Sequence, residues 1–92
     1  MAFDFDFSDE LKEKLRLISK KDPQLLKEIN AKVKQIIARD SGTIDAYKNC
    51  RRDLKDYKRV HIDRNFVLVF KIDKAHNIIL FSDLDHHDRI YE

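Results

Sequence analysis

Polar and apolar positions change their period several times along this chain, and each change marks a boundary. From Ala2 to Phe7 they alternate, with Phe3, Phe5 and Phe7 on one side and Asp4 and Asp6 on the other. Alternation with aromatics predicts a half-buried strand. Ser8 then predicts a helix N-cap, with Asp9 and Glu10 in a first turn where the helix dipole favours negative charge. Leu11, Leu15 and Ile18 follow at helical spacing. Asp22-Pro23 signals a second start, with aspartate as the cap and proline at the first helical position. Leu26, Ile29, Val33, Ile36 and Ile37 continue as an apolar stripe that Gly42 is read as closing. Two helices on a short link form an antiparallel hairpin, and their stripes require a sheet to cover them.

Residues 43–56 show no sustained period and read as a loop with one helical turn. From Tyr57 to Ile62 alternation returns, with Val60 and Ile62 on one face and Tyr57, Arg59 and His61 on the other. Asp63-Arg64-Asn65 makes a tight turn. Phe66 to Ile72 is apolar on both faces, as a central strand should be. Asp73-Lys74-Ala75-His76 turns again, and Asn77 to Phe81 gives a third strand. The fold class is therefore α+β. An N-terminal strand leads into an antiparallel helical hairpin packed on one face of a mainly antiparallel four-stranded sheet, and a short C-terminal tail follows. Neither a repeat nor a linker interrupts the pattern, so residues 1–92 read as a single domain.

At 92 residues, such a domain buries about 60–70% of its unfolded surface, enough for one modest core but not for a deep pocket. Any chemistry then sits on an open face and acts on a large substrate. The chain has one glycine, one proline and 39% charged residues, which argues against disorder or low complexity. Its one cysteine, Cys50, has no partner for an internal disulfide or a cysteine metal cluster. It lies among polar residues and reads as a partly exposed bystander thiol ahead of a nucleophile. No apolar run approaches a membrane span, and the acidic start MAFDFDF is unlike a signal peptide, so no membrane and a cytoplasmic location are expected.

The net charge of +2 hides an uneven distribution. Between Lys48 and Arg64 stand seven basic residues (Lys48, Arg51, Arg52, Lys55, Lys58, Arg59, Arg64) against three acidic ones. That local excess surpasses the whole-chain value, so the remainder is net acidic. A focused patch of this kind suits a polyanion, although a solvated charged surface has the same composition.

If Val60, Ile62, Phe66, Leu68 and Phe70 face the helices, then Arg59, His61, Val67, Val69 and Lys71 face away. Arg59 and His61 would project side by side about 7 Å apart. The closing HHDRIY string brings His86, His87 and Tyr91 to the edge of that face. Cleaving RNA without a metal needs a base for the 2′-OH, an acid for the departing 5′-oxygen, and cations for the crowded phosphate. Histidine suits the first two tasks, arginine and lysine the third. His76 reads as a surface histidine in a turn. His86 and His87 are adjacent, so one at most points into a given site, and the pair is poorly spaced to hold one metal ion jointly. Tyr91 either stacks on a base or anchors the terminus.

Several strings resemble the RelE/ParE superfamily of toxins from toxin–antitoxin systems, above all its RelE-type mRNA interferases. They are Tyr57-Lys58-Arg59-Val60-His61-Ile62, Asn65-Phe66-Val67-Leu68-Val69-Phe70 and HHDRIY, and with the order of elements they cover nearly the whole chain. The resemblance implies a toxin that enters the ribosomal A site and cuts mRNA there by metal-independent acid–base chemistry, with no small-molecule cofactor. It also implies a cognate antitoxin protein that wraps the toxin. The acid–base candidates are His61 and His87, with His86, Arg59 and Tyr91 beside them, and Arg51, Arg52, Lys55, Lys58 and Lys71 are the RNA-binding candidates. One departure stands out: many members carry Tyr-Arg-Val where this chain has Phe66-Val67-Leu68. A ParE-like inhibitor of a protein such as DNA gyrase, or an inactive RNA- or antitoxin-binding module, is the alternative expectation.

Overall fold

A computed structural model of the chain describes residues 3–40, 42–50 and 56–86. Its first strand, β1 (Asp4–Phe7), ends at Ser8, whose extended backbone and side chain start helix α1 (Asp9–Lys21). The Ser8 hydroxyl accepts from the Leu11 amide at 3.1 Å and donates to the Ser82 carbonyl at 2.5 Å. One side chain therefore caps the helix and ties it to the strand beneath. Ser8→Ala is expected to lower stability by about 1–2 kcal/mol, read as the urea midpoint, with Ser8→Thr keeping most of the loss back. An unshifted midpoint in the alanine variant would show that water replaces both bonds without cost.

Asp22 caps α2 (Pro23–Ile37) in the same way, accepting from the Leu25 amide at 3.1 Å, with Pro23 at the first turn as the sequence predicts. The buried stripe of α2 is Leu25, Ile29, Val33 and Ile36. It begins one residue earlier than the sequence reading at Leu26, because Leu25 lies one helical step from Ile29 on the same face. The helix stops at Ile37, short of Gly42. There the Asp40 carboxylate takes the amides of Gly42 (3.0 Å) and Thr43 (2.9 Å), offering the backbone a turn in place of the helical ladder. The leucine- and isoleucine-bearing stripes of the two helices meet the sheet in one core of Phe3, Leu11, Ile29, Ile36, Ile62, Leu68, Phe70, Ile79, Phe81 and Leu84, among others.

A single 3-10 turn, Ile44–Ala46, supplies the helical turn expected in the loop. After it comes a two-residue strand, β2 (Lys48–Asn49), then β3 (Lys58–Ile62), β4 (Phe66–Asp73) and β5 (Ile78–His86). The sheet has five strands in the order β1-β5-β4-β3-β2, not four. Only β1–β5 is parallel; the other pairs are antiparallel. The extra strand was illegible in sequence because two residues are too few to show a period.

The third predicted strand also runs further than expected, to His86 rather than Phe81. A register shift explains it: Phe70 pairs with Phe81 while Val69 pairs with Asp83, so Ser82 is an inserted bulge residue. A bulge lets pairing resume beyond the irregularity, with the alternation of faces displaced by one residue. Leu84, which plain alternation from Phe81 would turn outward, enters the helix-side core instead. No described helix is long and apolar enough to cross a membrane.

Candidate functional site

The register of β3 with β4 builds the face that the helices leave uncovered. Arg59 stands opposite Val69 and His61 opposite Val67, while Lys48 of β2 stands opposite Arg59. Directly opposed residues in an antiparallel pair share a face. Extending the β3–β4 register by one residue sets Tyr57 opposite Lys71. Arg59, His61 and Lys71 are therefore brought together as the alternation predicts, and Lys48 joins them.

The floor of this face is not the open surface that alternation suggests. Val67 and Val69 are buried, 0% and 3% exposed, in a second small apolar cluster with Cys50, and Tyr57 packs against it. The Cys50 amide donates to the Tyr57 carbonyl at 2.8 Å. Cys50 is 6% exposed rather than partly open. Burial pushes its thiol above the ordinary range, against the weaker opposite pull of the nearby Arg59 charge. A raised thiol is a poor nucleophile at neutral pH, so the side chain serves packing. Val67, at the position where a strand arginine was looked for, is part of that floor.

Above the floor, Arg59 donates from Nη1 to the Asn49 carbonyl at 2.9 Å, which pins the guanidinium along β2. His61 is exposed at the end of β3 and, with Ile62 and Asp63, borders a cleft shared with Glu28, Ala31, Lys32 and Gln35 of α2. The Lys71 ammonium sits 5.6 Å from the centre of the Tyr57 ring. On the β5 side, Asp85 stands opposite Val67 and Asp83 opposite Val69. Lys14 reaches past the end of β1 to Asp83 (2.7 Å), to the Leu84 carbonyl (3.0 Å) and within 4.0 Å of Asp85. These carboxylates are thus drawn toward the sheet edge and partly balanced there.

Two expected members lie elsewhere. His86 pairs with Phe66 and its ring stacks on the Phe66 ring, centroids 4.6 Å apart. Phe66 packs on the helix-side core, so His86 is on the face opposite His61, beside Lys14, Leu17 and Lys21 of α1. The Ser82 bulge is the cause, since it exchanges the faces of the residues that follow. Lys58 pairs with Phe70 on the helix side. Its ammonium lies 3.4 Å from the Asp45 carbonyl and 3.9 Å from the Asp45 carboxylate. That carboxylate also takes Lys74 at 2.5 Å, and this bond above all holds its pKa below the usual range. Arg51, Arg52, Lys55, His87 and Tyr91 lie outside the described residues. Among the described residues no group of His, Cys, Asp and Glu side chains gathers to hold a metal ion.

Sequence reasoning gave no role to Tyr57 and counted Lys48 only as part of the patch. The alternation that set Tyr57 beside Arg59 and His61 was the available signal. Lys48 has no such signal, because only its pairing with Arg59 fixes its face.

No family model matches the sequence. The candidate toxin RelE4 of Methanocaldococcus jannaschii is 40% identical over 90 residues, 98% of this chain and 92% of that protein. An uncharacterised Methanosarcina mazei protein is 40% identical over 82 residues, 89% of this chain and 91% of its own length. Among solved structures, the H87Q mutant of YafQ from E. coli superposes with a TM-score of 0.74 at 12% identity, covering 98% of this chain and 99% of that one. The YoeB–YefM complex from Staphylococcus aureus gives 0.74 at 20% identity over 95% and 99%. At these identities the solved structures speak for the fold alone, whereas the RelE4 relative, 40% identical over nearly the whole chain, decides the family. The chain belongs to the RelE/ParE superfamily of toxins.

Proposed function

We propose that this chain is the toxin of a type II toxin–antitoxin module and cuts mRNA in the ribosomal A site. The observation that carries the reading is the joint display of Arg59 and His61 on one strand face, with Lys71 and Lys48 beside them. His61 serves as one of the two proton-transfer groups. It either takes the 2′-OH proton or returns one to the 5′-oxygen as the phosphodiester bond breaks and a 2′,3′-cyclic phosphate forms. His87 serves as the other. Arg59 offers hydrogen bonds to the phosphate oxygens as charge gathers on them. Arg51, Arg52 and Lys55 serve as further RNA-binding cations, and Tyr91 serves to stack on a base. The shallow, wide face supports a substrate held in place by a larger body, because positioning has to come from outside a chain this small.

The cognate antitoxin is the expected protein partner, as YefM is for YoeB in the Staphylococcus aureus complex. The expected site of action is the cytoplasm. A second reading, a non-catalytic inhibitor of a protein such as DNA gyrase, is favoured by one observation: buried Val67 offers no cation at the centre of the face. Primer extension on a translated reporter after brief induction separates the two. Cuts inside translated codons are expected, with DNA supercoiling unchanged. Growth arrest without cuts, accompanied by lost supercoiling, would replace the first reading with the second.

A further inference from the structure

Four lysines around the sheet are held in two different ways. Lys58 and Lys74 share the Asp45 carboxylate, and Lys14 is held by Asp83. A carboxylate partner cancels most of the charge that such a lysine could offer to a ligand. Lys71 is held differently. Among the described residues no carboxylate forms an ion pair with it, and its ammonium lies over the Tyr57 ring. A ring attracts the cation through its quadrupole without cancelling its charge, so Lys71 is oriented without a counter-charge from the ring. The Lys71 side chain is exposed.

The ring itself is braced. It packs against the buried Val67, Val69 and Cys50, and its backbone carbonyl accepts the Cys50 amide. An aromatic fixed between a buried floor and a charged head restricts where that head can go. Lys71 also stands two residues along β4 from Val69, the partner of Arg59. The two cations therefore stand diagonally on neighbouring strands of one face, about 7–8 Å apart.

We propose that Tyr57 is a positioning residue that holds the Lys71 ammonium on this face as a phosphate anchor for single-stranded RNA. This rests on the reading of RNA as the substrate, and it adds the residue pair that supplies a cation where Val67 does not.

The test uses binding, apart from cleavage. The probe is a short single-stranded RNA carrying 2′-O-methyl groups, which removes the attacking hydroxyl. Affinity is measured across a salt series for the unaltered chain and for Lys71→Met, Lys71→Arg, Tyr57→Phe and Tyr57→Leu. Lys71→Met is expected to flatten the plot of log affinity against log salt by about 0.7, one phosphate contact on a single strand. Lys71→Arg should keep the slope. Tyr57→Phe should match the unaltered chain, since the ring remains, while Tyr57→Leu should bind about two- to fivefold more weakly. In a Lys71→Met background, Tyr57→Leu should then cost nothing further.

An unchanged slope in Lys71→Met overturns the anchor, and it does so even if Tyr57→Leu fails to fold, because Lys71 is exposed. A Tyr57→Leu loss that persists undiminished without Lys71 overturns the positioning role and makes the ring a contact in its own right. The outcomes are separable from the proposed function. Ribosomal mRNA cuts together with a Lys71-independent slope sink this inference alone. A Lys71-dependent slope without any cuts supports the anchor and sinks the cleavage.

Discussion

His61→Ala is expected to slow mRNA cutting by about 10²- to 10⁴-fold, the usual worth of one positioned proton-transfer group. His61 is exposed at the end of β3, so the substitution opens no cavity and the fold should be unaltered by thermal melting. The expected readout is the disappearance of cleavage bands from a translated reporter at equal protein level, with antitoxin binding retained. Two histidines that serve one proton relay do not contribute independently. His61→Ala/His87→Ala should therefore be little worse than the more damaging single variant. His86→Ala should leave cutting near normal, because its ring lies on Phe66 across the sheet from His61. Full activity in the double variant would remove the acid–base chemistry from this strand. Loss of activity in His86→Ala alone would show that substrate wraps over the helix side.

Phe70→Ala should be the most damaging single change to the fold. Phe70 is 0% exposed at the centre of β4. Its ring meets Tyr47 edge-on at 5.5 Å and Phe81 at 5.7 Å, so its loss empties the junction of the loop, the sheet and the helix stripes. Truncating a buried phenylalanine costs about 3–5 kcal/mol. Domains of this size hold roughly 5–14 kcal/mol in all. The variant should lose a large share of that, read as a fall of the urea midpoint by about a quarter or more. Phe70→Leu, which refills most of the volume, should lose much less. A midpoint shift worth under about 1 kcal/mol in the alanine variant would mean that the surrounding rings collapse into the space, and that the core is less fixed than the ring geometry implies.

Much of this architecture was legible because local chemistry and tertiary structure agree. Ser8 and Asp22-Pro23 announce helices that begin there. The alternation from Tyr57 to Ile62, followed by the apolar run from Phe66, assigns both faces of β3 and β4 correctly. The failures have one origin: a long-range pairing that leaves no local trace. β2 exists only because Lys48 and Asn49 meet Arg59 and Lys58. The Ser82 bulge is invisible in a sequence that keeps alternating, yet it transfers His86 from one face to the other. The second apolar cluster was equally hidden, since Val67 and Val69 look the same in sequence whether solvent or Cys50 and Tyr57 lies above them. At the candidate site, Arg59, His61 and Lys71 were read from period two, whereas the neighbours of Lys71 required the register.

Because β1 lies against β5 and not against its neighbours in sequence, it must wait for a strand translated much later. Phe7 stands beside Phe81, and elongation at about 5–20 residues per second separates their syntheses by several seconds. Until then the aromatic edge of the nascent chain has no strand to join, and the helical hairpin has no completed sheet to cover. Products of interrupted translation therefore lack the partner that closes the fold. For a member of a toxin family, this wiring withholds the finished fold until β5 has been made.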